Sequence, residues 1–85
     1  MSLSVAIVDD DPHFRSSVAH VVLSAHDMRF VGAADDIAPG RALIDASRPD
    51  VLLVDLSLPS GSGLELIRYA RFSTWWSRTR HCAAR

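Results

Sequence analysis

Val5-Ala6-Ile7-Val8-Asp9-Asp10-Asp11 and Val51-Leu52-Leu53-Val54-Asp55 decide how this chain folds. Each begins as a short, uniformly apolar tetrad with β-branched residues, the composition of a strand buried on both faces of a parallel sheet. Each then runs straight into carboxylates. Charge at a strand end costs desolvation unless it is paired, hydrated or bound to a cation. If the two strands are parallel neighbours, Asp9, Asp10 and Asp55 converge at the carboxyl edge of the sheet, where open α/β sheets bind their ligands. Acids that close repel one another and call for a hard cation such as Mg2+, which takes oxygen ligands and keeps several waters. A carboxylate held beside Mg2+ can attack a phosphoryl group.

The stretches around the tetrads alternate helix with strand. Asp11 is placed to cap a helix with Pro12 at its first position. Phe14, Val18, Val21, Val22 and Ala25 then form a single apolar face. Phe30 to Ala34 reads as a weaker strand. Asp36 caps a short helix through about Ser47, with Leu43 and Ile44 facing inward. Pro49-Asp50 forms a turn before the second tetrad, and Asp50 is a turn residue roughly 16 Å from Asp55 at the far end of that strand. Ser57 to Ser62 reads as a Pro/Gly/Ser loop, and Ser62-Gly63-Leu64-Glu65 matches a capping box opening a third helix. The order β-α-β-α-β-α implies an α/β fold with right-handed crossovers and helices on both faces of a parallel sheet.

Composition narrows the classes. The chain has 85 residues, is 48% apolar and carries a formal charge of −1, so it is one small globular unit without a broad basic surface for nucleic acid. No apolar run is long enough for a membrane span, and Met1-Ser2-Leu3 lacks the basic region of a signal peptide. The single Cys82 excludes an internal disulfide and fits a reducing, cytoplasmic compartment. His13, His20 and His26 read as surface residues. His81-Cys82 lacks partner ligands at metal spacing. Gly61-Ser62-Gly63 has no following lysine, which argues against a nucleotide loop. Asp35, like Asp36, reads as belonging to a helix start rather than to the acidic pocket.

Ile7-Val8-Asp9-Asp10, together with Asp55-Leu56-Ser57-Leu58-Pro59-Ser60-Gly61-Ser62-Gly63-Leu64-Glu65, resembles the receiver domain of bacterial response regulators. Proline four residues and glycine eight residues after the second carboxylate have the family's spacing, and the resemblance covers residues 3–70. It implies a flavodoxin-like three-layer sandwich, here truncated to about three β-α units with strand order 2-1-3. It also implies that Asp55 accepts a phosphoryl group from a histidine kinase. By the same resemblance Asp9, Asp10 and Asp55 bind Mg2+, Ser57 contributes its backbone carbonyl, and the protein is a signalling module rather than an enzyme. An output domain or downstream regulator is implied as a further partner.

Complete receivers also use a Ser/Thr and a Lys from later strands, and this sequence contains no lysine. Losing one such preorganised donor commonly costs about 3 kcal/mol, so phosphotransfer is expected to be slow or absent. Residues 71–85 hold four of the nine arginines, both tryptophans and no acid, unlike receiver sequence. They read as a basic-aromatic tail suited to nucleic acid or a membrane surface, or as the product of truncation or a frameshift. Under the latter reading, if the Thr74 codon is ACG, the TGGTGG of Trp75-Trp76 gives GTG-GTG, or Val-Val, in an adjacent frame. Truncation would leave the Val51–Val54 strand as an exposed edge, open to self-association or to cover by the tail. Two other functions compete. One is an inactive receiver-like interaction module. The other is a haloacid-dehalogenase-like phosphotransferase with Asp9 as nucleophile and Asp11 as acid.

Overall fold

A computed structural model describes residues 2–71 and 81–84. Strand β1 (Leu3–Val8) leads to helix α1 (Pro12–Leu23), β2 (Met28–Ala34), α2 (Ile37–Ser47) and β3 (Val51–Val54). Two short strands, β4 (Ser57–Leu58) and β5 (Gly61–Ser62), precede α3 (Leu64–Arg71), and β6 (His81–Ala84) closes the order. The main sheet is parallel with order β2-β1-β3-β6. The expected β2-β1-β3 order and receiver-like layering therefore hold.

The sheet is buried between two layers. Ala6 and Val8 point into a core with Ala34, Ile37, Ile44, Leu52, Val54, Leu58, Leu66 and Ala70, which places α2 and α3 over that face. Val5 and Ile7 alternate to the opposite face, which α1 covers. This two-sided burial explains why the first tetrad is apolar at every position; in β3, Leu52 and Val54 are buried and Val51 and Leu53 half-buried. Gly40 lets α2 approach β1 and α3: a Cβ there would lie 2.8 Å from Leu66 Cδ1 and 3.3 Å from Val8 Cγ1.

The helix starts follow local chemistry. Asp11 accepts a hydrogen bond from the His13 amide at 3.0 Å, with Pro12 in the first turn. Asp36 accepts one from the Ile37 amide at 2.8 Å. Helix α2 stops where Arg48 turns left-handed (φ 42°), followed by Pro49, a stop signal that cannot continue a helix.

Of the outcomes expected for an exposed β3, cover by the tail holds: His81–Ala84 pair with it residue for residue, Val51 opposite His81 through Val54 opposite Ala84. Among the described residues, the edge of the sheet on that side is therefore β6. Four expectations need correction. The Ser57–Ser62 stretch is a tight antiparallel hairpin rather than an unstructured loop, with Ser57 opposite Ser62. β2 starts at Met28 because β1 carries its pairing back to Leu3; Val31 is a bulge residue between Val5↔Phe30 and Ala6↔Gly32. The apolar face of α1 is wider than the sheet beneath it: Val22 is buried but Val21 is 63% exposed, and Ala25 falls beyond the helix. The Ser62 hydroxyl accepts from Leu64 rather than Glu65, since α3 begins one residue later than a capping box from Ser62 requires. Residues 72–80, with the Trp75-Trp76 pair of the expected tail, lie outside the described residues.

Candidate functional site

The register of β1 against β3 builds the site. Val8 pairs with Val54, so the next residues, Asp9 and Asp55, leave adjacent parallel strands side by side. The ladder continues one step past each strand: Asp55 N donates to Val8 O at 2.8 Å and Asp9 N to Ala34 O at 3.0 Å. Asp9, Asp10 and Asp55 each offer a carboxylate oxygen, all within 4.8 Å of one another. The three acids singled out from the sequence thus converge. Asp9 is fully buried, Asp55 half-buried and Asp10 exposed, so the cluster grades from protein interior to solvent.

The buried carboxylate is held by backbone. Asp9 Oδ1 accepts from the Asp11 amide at 2.9 Å. Asp55 Oδ1 accepts from the Ser57 amide at 3.0 Å. Ser57 therefore meets Asp55 through its N–H, at the first residue of the hairpin. Gly63 closes this turn: its amide donates to Leu56 O at 3.0 Å, and a Cβ there would overlap the Asp55 carbonyl oxygen. The glycine eight residues after Asp55 is thus a steric requirement of the loop that follows this acid.

The hairpin is tied to α2 as well. Asp36 accepts from the Ser60 amide at 3.1 Å and from the Ser60 hydroxyl. The Ser60 hydroxyl, then the Ile37 amide, hold the Asp36 carboxyl below the usual carboxylate range. Asp36 is therefore a cap and a strut, while Asp35 is exposed at the end of β2.

Two residues escaped the sequence reading. Arg15, one turn into α1, reaches back so that Nη1 donates to the Asp9 carbonyl at 2.6 Å. The available signal was an arginine four residues after a capping aspartate. Asp50 is more than a turn residue: Oδ2 accepts from the Ser4 amide at 2.9 Å and the Ser4 hydroxyl at 3.1 Å, and its own amide donates back to Ser4 Oγ at 2.8 Å. That clasp joins the amino-terminal ends of β1 and β3, opposite the acids. His13 and His20 are exposed on α1, and His26 is exposed beyond it. No described helix is long and apolar enough to cross a membrane.

Known proteins share this sequence pattern and fold. A family model of the response regulator receiver domain matches residues 5–75. A protein-glutamate methylesterase/protein-glutamine glutaminase of Thiobacillus denitrificans is 39% identical over 67 residues, which are 79% of this chain but 19% of that protein. The Escherichia coli nitrate/nitrite response regulator NarL is 33% identical over 64 residues, 75% of this chain and 30% of that protein. The chain thus spans under a third of these curated relatives. Among solved structures, the receiver domain of a NarL-type regulator from Mycobacterium tuberculosis superposes with a TM-score of 0.80 at 28% identity. That superposition covers 98% of this chain and 64% of the other. The response regulator domain of Thermotoga maritima CheB shares the fold at a TM-score of 0.81 and 22% identity, over 99% of this chain and 61% of that one. From the match over residues 5–75, the chain belongs to the receiver domains of response regulators, the phosphoacceptor modules of two-component signalling.

Proposed function

We propose that Asp55 is the phosphoacceptor of this receiver and that a histidine kinase is its donor. The observation that carries the reading is the convergence of Asp9, Asp10 and Asp55 within 4.8 Å at the carboxyl edge of a parallel sheet. A fully buried carboxylate, a half-buried one and an exposed one make an all-oxygen donor set of the kind Mg2+ takes, with room for its waters on the exposed side. Asp9, Asp10 and Asp55 would hold the ion, with the Ser57 carbonyl as a further ligand. When bound, Mg2+ offsets the charge that builds on the phosphoryl oxygens.

The chain's own residues supply the nucleophile and its placement. An Asp55 carboxylate oxygen attacks phosphorus, a P–O bond forms and the donor's P–N bond breaks. The released electron pair stays on the imidazole nitrogen, which takes a proton from solvent. The product is an acyl phosphate on Asp55. The Ser57 amide, which donates to Asp55 Oδ1, is positioned to follow that carboxylate as its charge changes. In this reading the protein is a cytoplasmic switch rather than an enzyme. The esterase activity named for the Thiobacillus denitrificans relative would come from the part of that protein that this chain does not match.

The test is Mg2+-dependent labelling with radioactive acetyl phosphate, followed by borohydride trapping to locate the acyl phosphate. Slow labelling at residue 55 that disappears in Asp55→Asn is the expected result, the rate being limited by the missing Lys and Ser/Thr donors. Label on Asp9 instead would support the dehalogenase-like alternative. No label in a folded, Mg2+-binding chain would support an inactive interaction module.

A further inference from the structure

We propose that Arg15 is a positioning residue of the acid pocket, holding the β1–α1 turn so that Asp9 and Asp10 face Asp55. The inference rests on the reading of those acids as the Mg2+ site. Asp9 is fully buried, and a buried carbonyl needs a partner. Its carbonyl lies past the end of β1 and before the first turn of α1, in the gap between two hydrogen-bonding systems. Arg15 Nη1 fills the gap at 2.6 Å, a charge-assisted contact. The same arginine is fixed to the cap from below, because its amide donates to Asp11 O at 3.0 Å.

Asp9 is therefore gripped at three points. Its amide bonds to β2 through Ala34 O, its carboxylate receives the Asp11 amide, and its carbonyl receives Arg15. Releasing the third point frees the peptide between Asp9 and Asp10. That peptide sets the angle between the buried carboxylate and the exposed one. The other arginines with described side chains sit elsewhere. Arg29 pairs with Ser4 near the start of β1, Arg41 stacks 5.5 Å from the Tyr69 ring, Arg48 follows α2, and Arg68 is exposed on α3. Among the arginines with described side chains, Arg15 is thus the one placed against the acidic turn.

Positioning and charge act in opposite directions on Mg2+. A guanidinium near the site repels the ion, so a purely electrostatic role predicts tighter Mg2+ binding once the charge is removed. A positioning role predicts weaker binding, because groups that orient metal ligands typically contribute about 10- to 100-fold in affinity. The two roles differ in sign, which makes them separable.

The experiment measures Mg2+ affinity by isothermal titration calorimetry on the unphosphorylated full chain. It also measures amide exchange at Asp11 and the urea midpoint, for Arg15→Gln, Arg15→Lys and Asp10→Asn. The expected result for Arg15→Gln is affinity lowered about tenfold or more, faster exchange at Asp11 and a nearly unchanged urea midpoint. Lysine, able to reach the carbonyl with one donor, should recover part of both losses. Unchanged or tighter Mg2+ binding in Arg15→Gln overturns the proposal. So does unchanged Asp11 exchange, or a loss in both Arg15 variants that merely tracks the urea midpoint. Unchanged affinity in a folded Asp10→Asn chain refutes the metal-site reading instead, while the exchange at Asp11 still decides the role of Arg15 in holding the turn.

Discussion

Replacing Gly63 with alanine should damage the fold and the site together. A Cβ at this position would overlap the Asp55 carbonyl oxygen, lie 2.9 Å from the Asp55 carbonyl carbon and 2.7 Å from Val54 Cγ1. Two of these three atoms are backbone and cannot rotate away. Asp55 cannot retreat either, because its amide is tied to Val8 O at 2.8 Å. Overpacking generally costs about 1–3 kcal/mol, and a clash with anchored backbone belongs at the upper end. With a urea slope of about 1 kcal/mol per M, the unfolding midpoint should fall by about 2–3 M. Roughly 4–13 kcal/mol is the range for a domain of 85 residues, so the loss is a large fraction of the whole. Gly40→Ala is the control: its new Cβ meets only the side-chain ends of Leu66 and Val8, at 2.8 and 3.3 Å. Rotamer shifts can absorb that contact, at a cost of about 1 kcal/mol. Urea denaturation followed by circular dichroism, with Mg2+ titration on each variant, reads both effects. A Gly63→Ala midpoint at or above that of Gly40→Ala, with unaltered Mg2+ affinity, would refute the steric argument.

The Asp36 strut gives a pH prediction with a definite sign. Its carboxyl is held below the usual value, so its contribution is complete above the ordinary aspartate range of about pH 4 and is lost as pH falls through the lowered value. Ser60→Ala should therefore bring the folded-state Asp36 value back toward normal by carbon-detected NMR titration; an unmoved titration curve would count against the hydroxyl as the main cause. At the other end of the sheet, Ser4→Ala should destabilise by about 1–2 kcal/mol in urea, since it removes the hydroxyl that bonds to both the Asp50 amide and the Asp50 carboxylate. The same substitution should leave Mg2+ affinity unchanged, and a drop in that affinity would mean that the clasp and the acid pocket are not independent.

Much of this architecture is legible in the residues because local and global signals agree. The first tetrad is apolar at every position since both faces of β1 are covered, while in β3 Leu52 and Val54 are buried and Val51 and Leu53 half-buried; in both, the acids follow the last ladder residues. Asp11 and Asp36 cap helices because their side chains reach amides one or two residues away, a purely local geometry. What stays hidden depends on partners distant in sequence. Asp50 finds Ser4 across 46 positions, and Asp36 finds Ser60 across 24. Neither pairing leaves a periodic trace. The β3–β6 pairing is invisible for a related reason: His81-Cys82-Ala83-Ala84 has no strand-like alternation or β-branched content, so its place in the sheet comes from the open side of β3. Arg15 was missed because charged residues on an amphipathic helix normally face water, and its backward reach is set by the bend at Asp10.

The Ser4–Asp50 clasp also has a consequence for how a chemical change at the acids travels. Parallel strands with uniformly apolar tetrads have little in their side chains to mark one register over the next, since a shift of one residue exchanges similar groups between two buried faces. Three reciprocal hydrogen bonds at the amino-terminal ends of β1 and β3 act as a datum line from which the pairing is counted. With that line fixed, sliding of the strands would not be an available response if Asp55 took up a new charge, as proposed above. The hairpin is the part free to answer instead: the Ser57 amide holds Asp55 near its start, and Ser60 at its tip is tied separately to Asp36 at the head of α2.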